Sequence, residues 1–176
     1  PPLNFDLTSL QREANNLWSW SARRTLSVAQ ELYDTHKLTT YPRTDSRFLP
    51  EDMMESISKT IRQLGAQDKL NPHSQRLVDE GLKNVKRNFD NSKVSDHYAI
   101  IPTGKIPPGG LSSDAARLYD LIARQFLASF HPESVWKVEK RTASKQGQNF
   151  VKEARSLSTP GWRAVRPKKQ DLPDGW

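Results

Sequence analysis

Residues 112–130 constrain the fold most. Ala115, Leu118, Ile122, Phe126 and Leu127 recur at helical spacing and form one apolar stripe. Ser113 is placed to cap that helix. A stripe of this length has to be covered by other apolar surfaces, and the upstream chain offers them. Residues 7–18 read as a helix, with Thr8 or Asp6 as its cap and Gln11 at capping-box distance from Thr8. Residues 21–35 read as a second, capped by Ser21, with Leu26, Ala29, Leu32 and Tyr33 at helical spacing. Residues 50–64 read as a third, with Pro50 in the first turn and Glu51, Asp52 and Glu55 at the positive end of the dipole. Residues 72–81 read as a fourth, with Gly81 as its stop. The expectation is a mainly α (α+β) protein whose five helices form a compact domain over residues 1–130. It leaves room for a helix-turn-helix or winged-helix-like substructure.

Between these helices the chain is punctuated. Residues 37–41 are Thr-rich and lean towards an extended form, and Pro42 holds Tyr41 extended. Residues 82–96 read as basic and irregular, residues 96–103 as a short apolar stretch ended by Pro102, and residues 104–110 as a loop. After His131-Pro132 the texture changes. Residues 135–142 and 150–157 look like strands joined near Gln146-Gly147-Gln148, and Pro160-Gly161 reads as a turn. Two such strands do not make a stable sheet alone. Residues 131–176 are therefore expected to be the incomplete start of an adjoining domain with a short antiparallel β segment. The chain begins at Pro1 rather than Met, which adds to the expectation of a piece of a longer protein.

Charge follows the same division. The net charge is +7 over 176 residues. Residues 1–130 are nearly neutral, with 17 Lys and Arg against 15 Asp and Glu. Residues 131–169 carry ten basic and three acidic residues. A basic excess points towards a polyanion, but here it is a C-terminal property. There is no Cys, which excludes disulfides, thiolate metal sites and cysteine nucleophiles. No run of 18 apolar residues occurs, and no basic-then-apolar leader is seen. The expected location is intracellular, and cytoplasmic with the nucleoid if the source is bacterial.

The chemically informative stretch is Tyr41-Pro42-Arg43-Thr44-Asp45-Ser46-Arg47. In an extended segment, period-two spacing puts Tyr41, Arg43 and Asp45 on one side. A phenol oxygen is a possible covalent nucleophile. A guanidinium beside it holds a phosphate and favours the phenolate, and the Asp is placed to orient the Arg. Such a trio suits transesterification at a phosphodiester. The same spacing also describes a turn stitched by an Arg–Asp pair, and these residues alone do not separate the two.

The stretch resembles the active-site tyrosine motif of type IA DNA topoisomerases. Three further segments resemble that family in the same order. They are Phe5-Asp6-Leu7-Thr8-Ser9-Leu10-Gln11-Arg12-Glu13-Ala14, then Ser21-Ala22-Arg23-Arg24-Thr25-Leu26-Ser27-Val28-Ala29-Gln30-Glu31-Leu32-Tyr33, which resembles the helix leading to the tyrosine, and Ser95-Asp96-His97-Tyr98-Ala99-Ile100-Ile101-Pro102-Thr103. Leu118-Tyr119-Asp120-Leu121-Ile122 resembles the helix that closes the domain. Pro42 and Ser-Asp-His are closer to the topoisomerase III branch than to bacterial topoisomerase I. Position 98 is Tyr where many members carry a second His or a Glu.

The resemblance implies that Tyr41 attacks single-stranded or underwound DNA and forms a 5′-phosphotyrosine. A strand then passes, and the 3′-hydroxyl attacks back without ATP. It implies that Arg43 holds the scissile phosphate, that Asp45 and Ser46 support the loop, and that His97 contacts DNA near the site with Thr103 shaping the wall. It also implies Mg²⁺ in the full enzyme, bound by a Toprim domain that this chain does not contain. The chain itself is expected to bind no metal, and its partners would be DNA and the remaining domains.

Other residues have plainer readings. Tyr33 and Tyr119 are expected in the core, as are Trp18 and Trp20, although the Trp pair could also stack bases. His36, His73 and His131 are expected at the surface or as caps. Lys83, Lys86, Arg87 and Lys93 fit a solvated loop face or a phosphate track equally well. Two further classes of function remain open on the residues alone. One is a non-enzymatic helix-turn-helix DNA-binding module, which leaves the Tyr-Pro-Arg-Thr-Asp and Ser-Asp-His motifs unexplained. The other is a helical protein-interaction domain.

Overall fold

A computed structural model describes residues 1–145 and 148–166. Its order is α1 (Leu7–Trp18), α2 (Ala22–Asp34), α3 (Met54–Leu64), α4 (Asn71–Glu80), α5 (Val85–Asn88), α6 (Ser113–Phe130), β1 (Val135–Lys145) and β2 (Gln148–Thr159). Short 3₁₀ turns lie at Glu51–Met53, Asn91–Lys93 and Gly161–Ala164. The described residues thus hold six α-helices rather than five. The extra one is the single turn Val85–Asn88, inside the stretch expected to be irregular. The junction Gln146-Gly147, the basic pair Lys168-Lys169 and the last seven residues, 170–176, whose two Asp bring the net charge back to +7, lie outside the described residues.

Helix α6 is the centre of the molecule. The apolar stripe predicts one buried face, but 12 of its 18 residues are buried. A narrow polar stripe with Asp114, Arg117, Asp120 and Arg124 stays in contact with solvent, so the helix sits in the core on its other sides. It packs against α2, α4, α5 and the Gly161–Ala164 turn. Phe126 and Phe130 meet edge to face at 5.5 Å, and Phe89 stands 6.1 Å from Phe130. Of the two cap candidates at α1, Asp6 is the one used, in a reciprocal pair with Ser9 rather than with Gln11. Ser112, not Ser113, caps α6 by accepting from the Ala115 amide at 3.1 Å. In both cases the capping oxygen belongs to the last extended residue, the one whose side chain folds back over the first turn.

The last turn of α6 ends inside the protein, so its carbonyls need donors. Asn88 Nδ2 donates to the Ser129 carbonyl at 2.9 Å. The Lys83 amide takes the Phe130 carbonyl at 2.9 Å, and Asn84 Nδ2 takes that of His131 at 2.8 Å. The residue after α6 is His131, which is its C-cap, as expected, and is buried, with 1% of its area exposed. Its Nε2 donates to the His73 carbonyl at 3.2 Å, which fixes the tautomer, and its Nδ1 has no partner among the described residues.

β1 and β2 form an antiparallel ribbon in which Trp136 faces Leu157 and Thr142 faces Val151. Val135, Val138, Phe150 and Val151 stay exposed on it. Both strands run further than the sequence pattern predicts, because backbone pairing continues through polar positions. Beyond the ribbon the chain returns to the helices. The Trp162 amide donates to the Pro132 carbonyl at 2.9 Å, and Val165 is fully buried. Gly161 makes this approach possible. Its φ is +53°, and a Cβ there would lie 2.3 Å from the Glu133 carbonyl oxygen. Arg166 then reaches Glu13 and Gln125.

His131 gives the fold a pH dependence. Burial is the main cause that pushes its imidazole down to about 4 from an ordinary 6.5; the bond to the His73 carbonyl opposes this and Arg76 assists it. The unfolded chain therefore binds the proton first as pH falls. The stabilisation from neutral, buried His131 is complete above pH 6.5 and is lost as pH falls towards 4. His131→Gln should flatten the acid loss of stability by on the order of 2 kcal/mol between pH 7 and pH 4. Urea unfolding of both proteins across that range checks it, and parallel pH profiles would contradict it.

Candidate active site

The site begins where α2 stops. Lys37 takes a left-handed φ of +55°, and the Leu38 amide returns to the Leu32 carbonyl at 2.9 Å. The chain then leaves the helix as an extended segment beside residues 97–103. The Thr40 amide donates to the Ile101 carbonyl, and the Thr103 amide donates to that of Leu38. Only one bridge, Thr39 to Pro102, is formed here. Pro42 and Pro102 have no amide hydrogen, so a regular ladder cannot continue. Side-chain hydroxyls take over. Thr40 Oγ1 donates to the Ala99 carbonyl and accepts from the Ile101 amide, both at 2.9 Å. Thr44 Oγ1 donates to the His97 carbonyl at 3.1 Å and accepts from the Ser46 amide.

The segment alternates as an extended chain must. Pro42, Thr44 and Ser46 are buried, while Arg43 and Asp45 are exposed and Tyr41 is half-exposed. Ser46 lies under the loop, with Oγ donating to the Lys93 carbonyl at 2.7 Å and accepting from the Phe48 amide. The outward row is what the Tyr-x-Arg-x-Asp spacing predicts, but its three members do different things. Tyr41 opens into a cavity of about 340 Å³ with His97, Thr103, Tyr33, Tyr98, Thr39 and Thr40. Arg43 lines a separate groove along α2. Asp45 forms no ion pair with Arg43, and its carboxylate accepts from Ser95 Oγ at 3.4 Å. The expectation that Asp45 orients Arg43 is thus not met; Ser95 is the partner within reach.

Tyr41 is held by rings. His97 lies 4.3 Å from it, centroid to centroid, and Tyr33 stands edge-on at 5.4 Å. The ammonium of Lys37 lies 5.6 Å over the Tyr33 ring. Tyr33 was expected in the core, but it forms a wall of this cavity and is only half-buried. Its helical spacing says which face of α2 it occupies, not that the chain doubles back over that face. Tyr119 and Trp20 are in the core as expected, and Trp18 packs against it. Burial, and after it the neighbouring Tyr33, pushes the Tyr98 phenol above its ordinary range, so it stays protonated. The Tyr41 hydroxyl makes no hydrogen bond among the described residues, which leaves it available to an incoming group. Thr103 closes the rim, with Oγ1 donating to the Lys37 carbonyl at 2.8 Å.

The cavity does not suit a magnesium ion. Mg²⁺ takes oxygen ligands, carboxylates foremost, and the walls here are phenols, threonine hydroxyls and one imidazole. Among the described residues no group of three or more His, Cys, Asp or Glu is placed to hold a metal. No helix of the described residues is long and apolar enough to cross a membrane.

Comparison with known proteins gives this geometry a context. A family model described as DNA topoisomerase matches residues 1–174. DNA topoisomerase 3 of Bacillus licheniformis is 42% identical over 165 residues, covering 92% of this chain and 22% of that protein. DNA topoisomerase 3 of Bacillus subtilis is 39% identical over 168 residues, covering 93% and 23%. Full-length topoisomerase I from Thermotoga maritima superposes over 99% of this chain and 28% of its own, with a TM-score of 0.66 at 24% identity. The chain thus spans less than a quarter of the length of these curated relatives. It belongs to the DNA topoisomerase family.

Proposed function

We propose that this chain is the tyrosine-bearing part of a type IA DNA topoisomerase and that Tyr41 is its nucleophile. The observation that carries the reading is the unbonded Tyr41 hydroxyl in a concave site, its ring fixed between His97 and Tyr33. Fixing the ring fixes the line of attack, which removes much of the orientational cost of reaction. The Tyr41 oxygen bonds to phosphorus, the bond from phosphorus to the 3′ oxygen breaks, and the phenol proton is released as the 3′ oxygen gains one. The product is a 5′-phosphotyrosine and a free 3′-hydroxyl. The ester keeps the energy of the broken bond, so religation by the 3′-hydroxyl runs without ATP once another strand has passed.

In this reading Arg43, exposed beside Tyr41, holds the scissile phosphate and stabilises the charge that develops on it. His97 contacts the sugar or phosphate from the other side. Ser46 and Asp45 keep the loop in place through Lys93 and Ser95. The magnesium implied for the full enzyme belongs to a Toprim domain elsewhere in the parent protein, and no step above passes through it. The substrate is single-stranded or underwound DNA, and a bacterial parent works in the cytoplasm on the nucleoid. A helix-turn-helix module without chemistry would give the Tyr41 cavity no use.

The full-length protein with Tyr41→Phe should form no covalent DNA adduct and still bind single strands. Denaturing gels of trapped complexes check this, and any residual adduct would remove Tyr41 from the reaction. Arg43→Ala should slow cleavage on the order of 10²-fold while binding changes less, as read by single-turnover cleavage beside equilibrium binding. The 176-residue chain alone should not relax negatively supercoiled plasmid with Mg²⁺, and relaxation by it would show that the chemistry needs no other domain.

A further inference from the structure

The groove that receives Arg43 is the larger of the two cavities flanking the tyrosine segment. Its volume is about 480 Å³, within the range of ligand sites. One wall is the exposed face of α2, with Arg23, Ser27, Gln30 and Asp34 along it, and Arg43 stands on the tyrosine side. From Arg23 to Asp34 this face is about 16 Å long at 1.5 Å per residue.

The charges in the groove are not equivalent. Glu31 is engaged by His36 at 3.2 Å, and Asp34 accepts from Gln30 Nε2 at 2.7 Å. Both carboxylates lie towards the C-terminal end of α2. Arg23 lies in its first turn, where the helix dipole favours an anion. Arg23 and Arg43 make no ion pair or hydrogen bond among the described residues. The next arginine, Arg24, differs in this respect. It is bound to Asp114 at 2.7 Å and stacked 4.7 Å over Trp20, which commits it to joining α2 to α6. Two exposed, uncommitted guanidinium groups lining one groove, one of them two residues from Tyr41, match the repeating anion of a nucleic-acid backbone.

We propose that this groove is a strand track: a single-stranded nucleic acid that crosses Tyr41 continues over α2, with a backbone phosphate held between Arg43 and Arg23. The inference rests on the reading of Tyr41 as the nucleophile, because that reading brings a strand to Arg43. It adds Arg23 as a binding residue and gives the strand a direction, from the His97 cavity towards the N-terminal end of α2. Arg23 acts on affinity rather than on the reacting atoms.

The test uses the full-length protein with Tyr41→Phe, so that binding is read without cleavage. The probe is a fluorescent oligothymidylate, followed by anisotropy over a range of salt concentrations. Arg23→Gln should weaken binding roughly 3- to 10-fold and make the salt dependence shallower by about 0.7, the share of one phosphate on a single strand. Arg23→Lys should keep the salt dependence. Lys59→Ala removes an exposed charge from α3, which lines neither cavity, and should change neither quantity. Arg23 is exposed on its helix, and equal melting temperatures establish that the variants fold. If Arg23→Gln behaves like Lys59→Ala, the track is overturned even where trapping at Tyr41 succeeds. If trapping at Tyr41 fails while Arg23→Gln still weakens binding, the groove stands and the nucleophile assignment falls.

Discussion

Thr44 Oγ1 gives its hydrogen to the His97 carbonyl and takes the Ser46 amide on its lone pair. Through that one buried hydroxyl, residues 53 apart in sequence are held together, and the ring face of His97 is set against Tyr41. Thr40 repeats the arrangement four residues earlier, towards Ala99 and Ile101. A backbone ladder would do this ordinarily, but two prolines forbid it. The side-chain stitches are neutral and mostly shielded from water, so each contributes about 1 kcal/mol while made. Each would cost about 1–3 kcal/mol if one partner were left buried and unpaired. Rings and hydroxyls, rather than ion pairs, therefore set the position of the tyrosine.

That local arrangement depends on the core beneath it. Residues 97–103 run between the site and the apolar interior, with Ala99, Ile100 and Ile101 nearly free of solvent contact. The Ile100 amide reaches the Phe5 carbonyl at 2.8 Å, so the residues before α1 are pinned to that same extended segment. Gln125 of α6 donates to the Leu3 carbonyl at 2.5 Å, which ties that segment to the central helix. Arg47, six residues past the tyrosine, donates to the Asn4 carbonyl at 2.9 Å. The N-terminal segment, the tyrosine loop and α6 thus share one network, and displacement of any of them would be felt at His97.

Elements governed by local rules were legible in the sequence. The bounds of α1 follow from its periodicity and its flanking polar residues, and α2 follows to within a residue at each end, because caps and apolar spacing are written in neighbouring positions. The outward row of Tyr41, Arg43 and Asp45 follows from period two alone. What the sequence hides is long-range. Nothing near Tyr33 says that Tyr41 will fold back against it, and nothing near His131 says that α5 and His73 will enclose it. The capping serines illustrate a finer limit. Ser112 and Ser113 are chemically alike, and only the backbone bend at Ser112 decides which oxygen faces the open amides. Sequence proximity pairs Asp45 with Arg43, whereas the donor within reach in space is Ser95.

The distribution of charge bears on how such a site recognises its substrate. The basic excess of the chain lies in residues 131–169, much of it on a ribbon exposed on both faces. The tyrosine cavity is lined by neutral rings and hydroxyls, with Lys37 nearby and Arg43 next door. A field from the ribbon attracts any polyanion and is weakened within about 8–10 Å at physiological salt. It raises encounter frequency without choosing a phosphate. On the proposed function, selection of one phosphodiester has to come from groups close enough to bond it, and Arg23 and Arg43 are exposed there with no ion pair or hydrogen bond among the described residues. Net charge and site chemistry are therefore separate properties of this chain, and substitutions that alter one need not alter the other.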